Sequence, residues 1–187
     1  AILDGGGMYI GGETTQGTCQ NSLFSKSIAY SGGGGFSIEK STHITFANVT
    51  LRVNQAYLHG GGAKLYRNAL DNRFINITFN KNSALQGPGG AFYMFHYAQY
   101  NSFERCEFNN NVAQGNGGAV FGYHYSGSNS FRQCVFLENH ASSVGGGVYL
   151  STESSRNKFI ECEFIENSAV LSGGALGLFD HSEQTTF

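Results

Sequence analysis

Short runs of alternating apolar and more polar residues follow each pair of glycines along the chain. In Ala91-Phe92-Tyr93-Met94 and in Gly147-Val148-Tyr149-Leu150, strongly apolar side chains stand at every second position. This alternation has the period of a half-buried β-strand, and no segment shows the apolar stripe of an amphipathic helix. The pattern therefore predicts an all-β fold of short strands joined by glycine-containing turns.

The strand pattern repeats about every 28 residues. An F-x-x-N motif begins at positions 51, 79, 108, 136 and 164, which are 28, 29, 28 and 28 residues apart, although the first copy has leucine in place of phenylalanine. A G-G-small-apolar motif follows each anchor by nine or ten residues. A further aromatic precedes each anchor by five residues, at Phe46, Phe74, Phe103, Phe131 and Phe159.

A unit of this length cannot enclose a hydrophobic core alone. Stacking each unit on the next, with strands about 4.8 Å apart, buries a continuous core. We therefore expect a parallel β-helix, a solenoid of six to seven coils with about 28 residues per coil. The repeats fill residues 1–187 as one array that is interrupted within a repeat at both ends, so we expect a segment of a longer chain.

Stacking also predicts which side chains form columns in the interior. One column of repeat positions is expected to be an internal aromatic stack, formed by Phe79, Phe108, Phe136 and Phe164. Another predicts an asparagine ladder at a bend, where each amide bonds to its neighbours. Asparagine also tolerates the left-handed backbone that such a bend can require. Its members are Asn54, Asn82, Asn111, Asn139 and Asn167.

Three cysteines, Cys106, Cys134 and Cys162, share a column two residues before the anchor. Earlier repeats place Val49 and Ile77 there, so the column is expected to face inward. Buried thiols are one interpretation, and a disulfide between two neighbours that leaves the third thiol free is the other. We expect no metal site or nucleophile in this column, because no histidine shares it.

Composition and charge exclude several classes of protein. The 27 glycines occur with one proline, which excludes collagen and proline-rich linkers. An aromatic content of 14% with only 13% charged residues is not typical of disorder. The formal net charge of −2 gives no indication of a nucleic-acid partner. No segment is long and apolar enough for a membrane span.

Two columns of titratable side chains are the candidates for a catalytic or metal site. Glu138 and Glu166 share one column, and His96 and His124 share another, which Asp180 enters two repeats later. We interpret both columns as solvated surface, with a catalytic or cation site as the alternative. We accordingly predict no catalytic residue, no metal and no cofactor.

Outward aromatic residues and two glycosylation sequons are the remaining candidates. Alternation sends Tyr93, Phe121 and Tyr149 outward on consecutive coils, where they would contact a sugar or a protein, or be covered by a loop or flanking domain. Asn48 and Asn76 begin the two N-x-T sequons and are also expected to point outward, which makes both candidates for glycosylation.

The pairing of G-G-A-(V/L/F) with F-x-x-N at this period resembles the repeats of the polymorphic outer membrane proteins of chlamydiae. The resemblance covers nearly the whole chain, and it implies a right-handed, single-stranded parallel β-helix displayed outside the cell as an adhesive or structural stalk. Three residues depart from the pattern: Leu51 replaces an anchor, Ser27 replaces an asparagine, and Lys64 occupies a position that we interpret as apolar.

Two functions remain open from the sequence. The first is a non-enzymatic extracellular stalk or filament subunit, whose partners are other protein subunits or cell-surface glycans and which assembles end to end or laterally. The second is a carbohydrate-active enzyme, a polysaccharide lyase or glycosidase, or a carbohydrate-binding module. A groove in which two carboxylates and a basic residue converge would favour the second.

Overall fold

The computed structural model describes residues 3–187, and this part of the chain contains strands and turns but no helix. It therefore holds no helix that could cross a membrane. The strands are β1 (Met8–Ile10), β2 (Gly17–Gln20), β3 (Leu23–Ser25), β4 (Ile28–Ala29), β5 (Phe36–Glu39), β6 (Ile44–Arg52), β7 (Gln55–Ala56), β8 (Ala63–Tyr66), β9 (Arg73–Asn80), β10 (Ser83–Ala84), β11 (Phe92–Phe95), β12 (Ser102–Glu104), β13 (Glu107–Asn109), β14 (Val112–Ala113), β15 (Val120–Tyr123), β16 (Ser130–Arg132), β17 (Val135–Leu137), β18 (His140–Ala141), β19 (Val148–Ser151), β20 (Lys158–Ile160), β21 (Glu163–Ile165), β22 (Ser168–Ala169) and β23 (Leu176–Leu178).

The strands form three parallel sheets that the chain visits once per coil. Sheet 1 has the order β1-β5-β8-β11-β15-β19-β23, and sheet 3 has the order β4-β7-β10-β14-β18-β22. Sheet 2 contains the remaining strands; β6 and β9 are single long strands, and each of the other coils of this sheet has two short strands in their place, as in β12 and β13. Seven strands in one sheet and six in another confirm the predicted parallel β-helix of six to seven coils.

The register of the sheets places like residues on like residues. Phe108 pairs with Phe79 on one side and with Phe136 on the other. Ring centroids along this column, which continues to Phe164, are 4.7 to 4.8 Å apart with nearly parallel planes. These distances equal the spacing between strands in a sheet. The second aromatic column is likewise stacked, with 4.7 Å from Phe74 to Phe103 and 4.5 Å from Phe103 to Phe131.

The asparagine column of the F-x-x-N motif forms a buried ladder. Asn82 donates from both its backbone N and its Nδ2 to Oδ1 of Asn111, at 2.9 and 3.0 Å, and Asn111 donates in the same way to Asn139. Each Nδ2 also donates to a backbone carbonyl of the preceding coil, as Asn111 does to Phe79 O at 3.0 Å. Asn54 and Asn167 belong to the same ladder.

The left-handed residue at this bend is not the asparagine. Positive φ angles occur one position earlier, at Lys81, Asn110 and Glu138 among others. The bend does contain a left-handed residue, but the residue before the asparagine supplies it, and the asparagine side chain is left free to bond between coils.

A second buried asparagine ladder lies before the other aromatic column, and sequence reasoning missed it. Oδ1 of Asn101 accepts hydrogen bonds from the backbone N and Nδ2 of Asn72, both at 3.0 Å, and Asn129 repeats the arrangement with Asn101. Asn157 continues the column. The 28- or 29-residue spacing of these asparagines was the signal that could have revealed the ladder.

The two glycines of each repeated pair have different roles. Gly117 has φ of +66°, which glycine adopts without the steric cost that a Cβ atom brings. At Gly118 a Cβ atom would lie 2.1 Å from the carbonyl oxygen of Gly146 on the next coil. One glycine thus makes the turn, while the other allows neighbouring coils to approach closely.

The cysteine column holds free thiols, of which Cys106 and Cys134 are buried and Cys162 is half-buried. Cys106 donates to Phe74 O at 3.4 Å, and Cys134 and Cys162 make the same contact one coil further along each time. A hydrogen bond with the neighbouring thiol, together with burial, raises the pKa of Cys134 and of Cys162. The column is therefore suited to packing and not to nucleophilic chemistry.

Candidate functional site

The outer face of sheet 1 carries a column of stacked aromatic rings. Tyr93, Phe121 and Tyr149 pair in register on β11, β15 and β19, with ring centroids 5.3 and 5.4 Å apart. Alternation correctly places them outside the core, yet Tyr93 is only 6% exposed and Phe121 only 7%. Neighbouring side chains cover them, so these two rings offer little surface to a ligand.

A second aromatic column covers the first, and sequence reasoning missed it. Tyr66, Phe95 and Tyr123 stack at 5.6 and 5.7 Å, one position before the turn out of sheet 1. Phe95 lies 5.8 Å from Tyr93, which also stacks at 4.7 Å on the His59 ring. The spacing of 29 and 28 residues was a signal that could have revealed this column. The two columns together make the outer face of sheet 1 aromatic.

Lys64 stands in the outward column, in register with Tyr93 and Ser37. The glycine motif aligns Lys64 with Phe92, but in the structure Ala63 pairs with Phe92 and Lys64 pairs with the outward Tyr93. Its Nζ donates to Asp4 Oδ1 at 3.0 Å and to Ser31 Oγ at 3.4 Å, and lies 4.7 Å from the centre of the Tyr66 ring. The Lys64 side chain is only 7% exposed, so this ion pair is largely shielded from water.

A second ion pair lies next to the first. Arg67 donates from Nη1 to Glu39 Oε1 at 3.0 Å, and its guanidinium lies 4.7 Å from the centre of the Tyr66 ring. Glu39 Oε2 accepts a 2.6 Å hydrogen bond from the Tyr9 hydroxyl. This bond raises the pKa of Tyr9 to about 12. The same bond, followed by the contact with Arg67, lowers the pKa of Glu39.

These groups surround one open cleft of about 360 Å³, which we call the Lys64 cleft and define by Asp4, Glu39, His59, Lys64, Tyr66 and Arg67. Burial lowers the pKa of His59, and the Lys64 ammonium lowers it further, so this imidazole is neutral at pH 7. Two carboxylates, a lysine and an arginine thus converge at an aromatic surface. These four groups come from strands and turns of different coils, so no local sequence motif could predict that they lie together.

The histidine column is also present on this side of the molecule. His96 and His124 are stacked, with ring centroids 5.1 Å apart and planes within 2° of each other. Both have positive φ, as does Asp180 two coils later. Within residues 3–187 no group of three or more histidine, cysteine, aspartate or glutamate side chains is arranged to hold a metal ion.

The remaining candidates lie away from the Lys64 cleft. Glu138 and Glu166 are exposed at the left-handed bend between sheets 2 and 3. Asn48 and Asn76 are exposed on sheet 2, and Asn76 Nδ2 donates to Asn48 Oδ1 at 2.8 Å. Both sequon asparagines therefore face solvent, and glycosylation of either stays a prediction.

Comparison with known proteins addresses the family and not the activity. No curated protein and no solved structure shows significant similarity to the chain. The family described as "Right handed beta helix region" matches residues 3–164, which is most of the chain. The predicted fold is confirmed by this match and by the parallel sheets, and the chain belongs to the right-handed β-helix family.

Proposed function

We propose that the chain is a non-enzymatic adhesive β-helix, displayed outside the cell, that binds a glycan at the Lys64 cleft. The observation that carries this proposal is the convergence of two fixed ion pairs with an aromatic surface. Charged groups form strong hydrogen bonds with hydroxyls, and rigid rings supply contact area at low entropic cost. Saccharides offer both hydroxyls and apolar ring faces, so their chemistry matches that of the cleft.

Tyr9 supplies the open aromatic surface of this site. Its side chain is 52% exposed, and it has no ring partner within residues 3–187, unlike the stacked tyrosines beside it. Its hydroxyl is held by Glu39, so the ring is fixed beside the cleft before any ligand arrives. Such preorganisation lowers the entropic cost of binding.

The cleft supports binding better than glycoside hydrolysis. A glycosidase needs one carboxylic acid whose pKa is raised so that it can donate a proton. Here the pKa of Glu39 is lowered instead, and the carboxylate of Asp4 is held by Lys64. Both acids are thus engaged in ion pairs that suit the recognition of hydroxyl groups.

Binding to immobilised neutral, uronate-containing and sulfated polysaccharides tests this proposal. We expect Tyr9→Ala and Lys64→Met each to weaken binding at least tenfold. Tyr30→Ala is the matched control, because Tyr30 is 55% exposed but stacks on Tyr57 and does not line the cleft. The absence of binding to every polysaccharide, or equal binding by Lys64→Met and wild type, would refute the proposal.

A carbohydrate-active enzyme is the second candidate, favoured by the same convergence of two carboxylates with basic residues. In a lyase reaction, neutral His59 would remove the proton next to a uronate carboxylate, the bond from C4 to the leaving oxygen would break, and that oxygen would take a proton from water. New unsaturated or reducing ends, formed by wild type and not by His59→Gln, would replace the first proposal with this one.

The proposed location rests on the repeat pattern. The resemblance to the chlamydial surface proteins supports display outside the cell, and the exposed Asn48 and Asn76 are accessible to glycosylation in a eukaryotic secretory pathway. Labelling of intact cells with an impermeant reagent tests the location. Loss of apparent mass on treatment with an N-glycosidase tests the modification.

A further inference from the structure

A separate groove lies where the chain enters sheet 2, on the outer surface of β16 and β20. The middle coil of the groove has Ser128 where the preceding coil has Tyr100 and the following coil has Arg156, and Ser130 lies two residues further on. Next to Ser128, a Cβ on Gly127 would lie 2.2 Å from Ser155 O, so the backbones of these two coils are closely packed beside the groove. The groove has a volume of about 460 Å³.

Three cations line this groove, and in the described part of the chain none of them forms an ion pair with a carboxylate. Arg132, Arg156 and Lys158 are exposed, and within residues 3–187 only Arg156 has a side-chain partner, the neutral amide of Gln184 at 3.1 Å. Three like charges on one surface create a local positive potential on a chain whose net charge is −2. An anion in the groove would relieve their mutual repulsion.

The nearest carboxylates do not neutralise the groove. Glu104 is in register with Arg132 on the preceding coil, but its carboxylate is held by Arg105. Glu153 and Glu183 line an adjoining depression that shares Arg156 and Tyr100 with the groove, and neither forms an ion pair with Arg156. None of the residues from 3 to 187 that line the groove is acidic.

The opposite wall is an aromatic ring with free faces. Tyr100 is 57% exposed and contacts no other ring within residues 3–187, in contrast to the stacked outer columns. Tyr100 and Arg156 are two coils apart, about 10 Å at the usual strand spacing. This width accommodates one pyranose ring packed on the tyrosine, with its anionic substituent directed at the cations.

We propose that this groove, defined by Tyr100, Ser128, Ser130, Arg132, Arg156 and Lys158, binds a sugar residue that carries an anionic group, either a uronate or a sulfated sugar. The site extends glycan recognition to a second surface and does not depend on the Lys64 cleft. Tyr100 contacts the sugar ring, the serine hydroxyls accept or donate hydrogen bonds at the floor, and the three cations bind the carboxylate or sulfate.

Calorimetric titration with three oligosaccharides of equal length tests this inference: one of hexuronic acid, one sulfated and one neutral. We expect at least one acidic oligomer to bind tenfold or more tightly than the neutral one, with affinity that falls as salt rises. Whichever acidic oligomer binds more tightly identifies the anionic group. Arg156→Gln combined with Lys158→Gln should weaken that binding at least tenfold, and Tyr100→Ala should weaken it severalfold.

Arg73→Gln is the matched control, because Arg73 is exposed in the same column of sheet 2 but lies outside the groove. It should leave affinity within twofold, and unchanged thermal unfolding of all variants would show that folding is intact. Equal affinity for acidic and neutral oligomers would overturn the inference. So would inorganic sulfate that binds as tightly as the oligomers and is insensitive to Tyr100→Ala, because no sugar would then be recognised.

The two binding proposals fail in distinguishable ways. If acidic oligomers lose affinity in Lys64→Met but not in the Arg156 and Lys158 double variant, they bind at the Lys64 cleft and the groove proposal is wrong. If the double variant loses affinity for the acidic oligomers and Lys64→Met does not, the groove proposal is supported and the cleft proposal is wrong.

Discussion

Replacing Asn111 by alanine tests whether the inner asparagine ladder holds neighbouring coils together. The Asn111 side chain is fully buried. Its Oδ1 accepts from the backbone N and from Nδ2 of Asn82, at 2.9 and 3.0 Å, and its Nδ2 donates to Asn139 Oδ1 and to Phe79 O, both at 3.0 Å. Truncation removes all four hydrogen bonds at once.

The expected loss of stability follows from the groups that remain unpaired. The backbone N–H of Asn82 and one N–H of its amide would be left buried without an acceptor. An unsatisfied buried polar group costs about 1 to 3 kcal/mol, so the two groups together cost about 2 to 6 kcal/mol. Domains of this kind have only about 5 to 15 kcal/mol of net stability, so the loss is readily measured.

Two other asparagine-to-alanine variants provide controls for the size of this loss of stability. Asn109 lies on the same coil, but its side chain points outward and donates only to Glu107 at 3.2 Å, so Asn109→Ala should cost less than about 1 kcal/mol. Asn167 belongs to the same ladder but is half-buried, so water can replace lost bonds and Asn167→Ala should fall between the other two.

Urea unfolding followed by circular dichroism measures the three free energies. The expected order of destabilisation is Asn111→Ala, then Asn167→Ala, then Asn109→Ala. If Asn111→Ala and Asn109→Ala lost the same free energy within error, aromatic stacking and backbone pairing would suffice to hold the coils, and the ladder would not be a stabilising element.

Three further predictions concern the glycines, the aromatic core and pH. Gly118→Ala should destabilise the fold strongly or prevent folding, whereas Gly17→Ala should cost little, because the added Cβ at Gly17 meets only a flexible side chain 3.3 Å away; refolding yield and urea midpoints compare the two. Phe108→Ala should lower the free energy of unfolding by about 3 to 5 kcal/mol through the cavity it leaves, also measured in urea. The pKa of His59 is lowered in the folded state, so the neutral imidazole contributes to folding stability above its ordinary pKa of 6.5, and this contribution is lost as the pH falls below 6.5. Wild type should therefore lose more free energy of unfolding between pH 7 and 5 than His59→Gln.

The interior of the solenoid was predictable because its columns consist of identical residues. Phe79, Phe108 and Phe136 repeat at a constant period, and any residue that recurs at the coil length stacks on itself. The detail of the bend was not predictable in the same way. The residue before each ladder asparagine varies in type, as Lys81, Asn110 and Glu138 show, so only its backbone conformation is shared.

The candidate sites were much less predictable because they consist of residues that do not repeat. Asp4, Glu39 and Lys64 come from three successive coils and occupy different positions within the repeat. Their contact depends on the register and on which side chains are long enough to reach across a coil. The burial of Tyr93 could not be predicted either, because alternation indicates which face of the sheet a side chain is on but not which neighbours cover it.

Both proposed sites lie where an outer column is interrupted. Lys64 replaces a ring in the column of Tyr93 and brings a charge into an aromatic surface. At the second site the small residue Ser128 lies between Tyr100 and Arg156, and this leaves a gap one coil wide. Uninterrupted columns satisfy their own stacking and hydrogen bonding, so they leave few groups for a ligand. In a solenoid of this kind the constant positions maintain the coil, and the departures on its outer surface are the places to look for recognition.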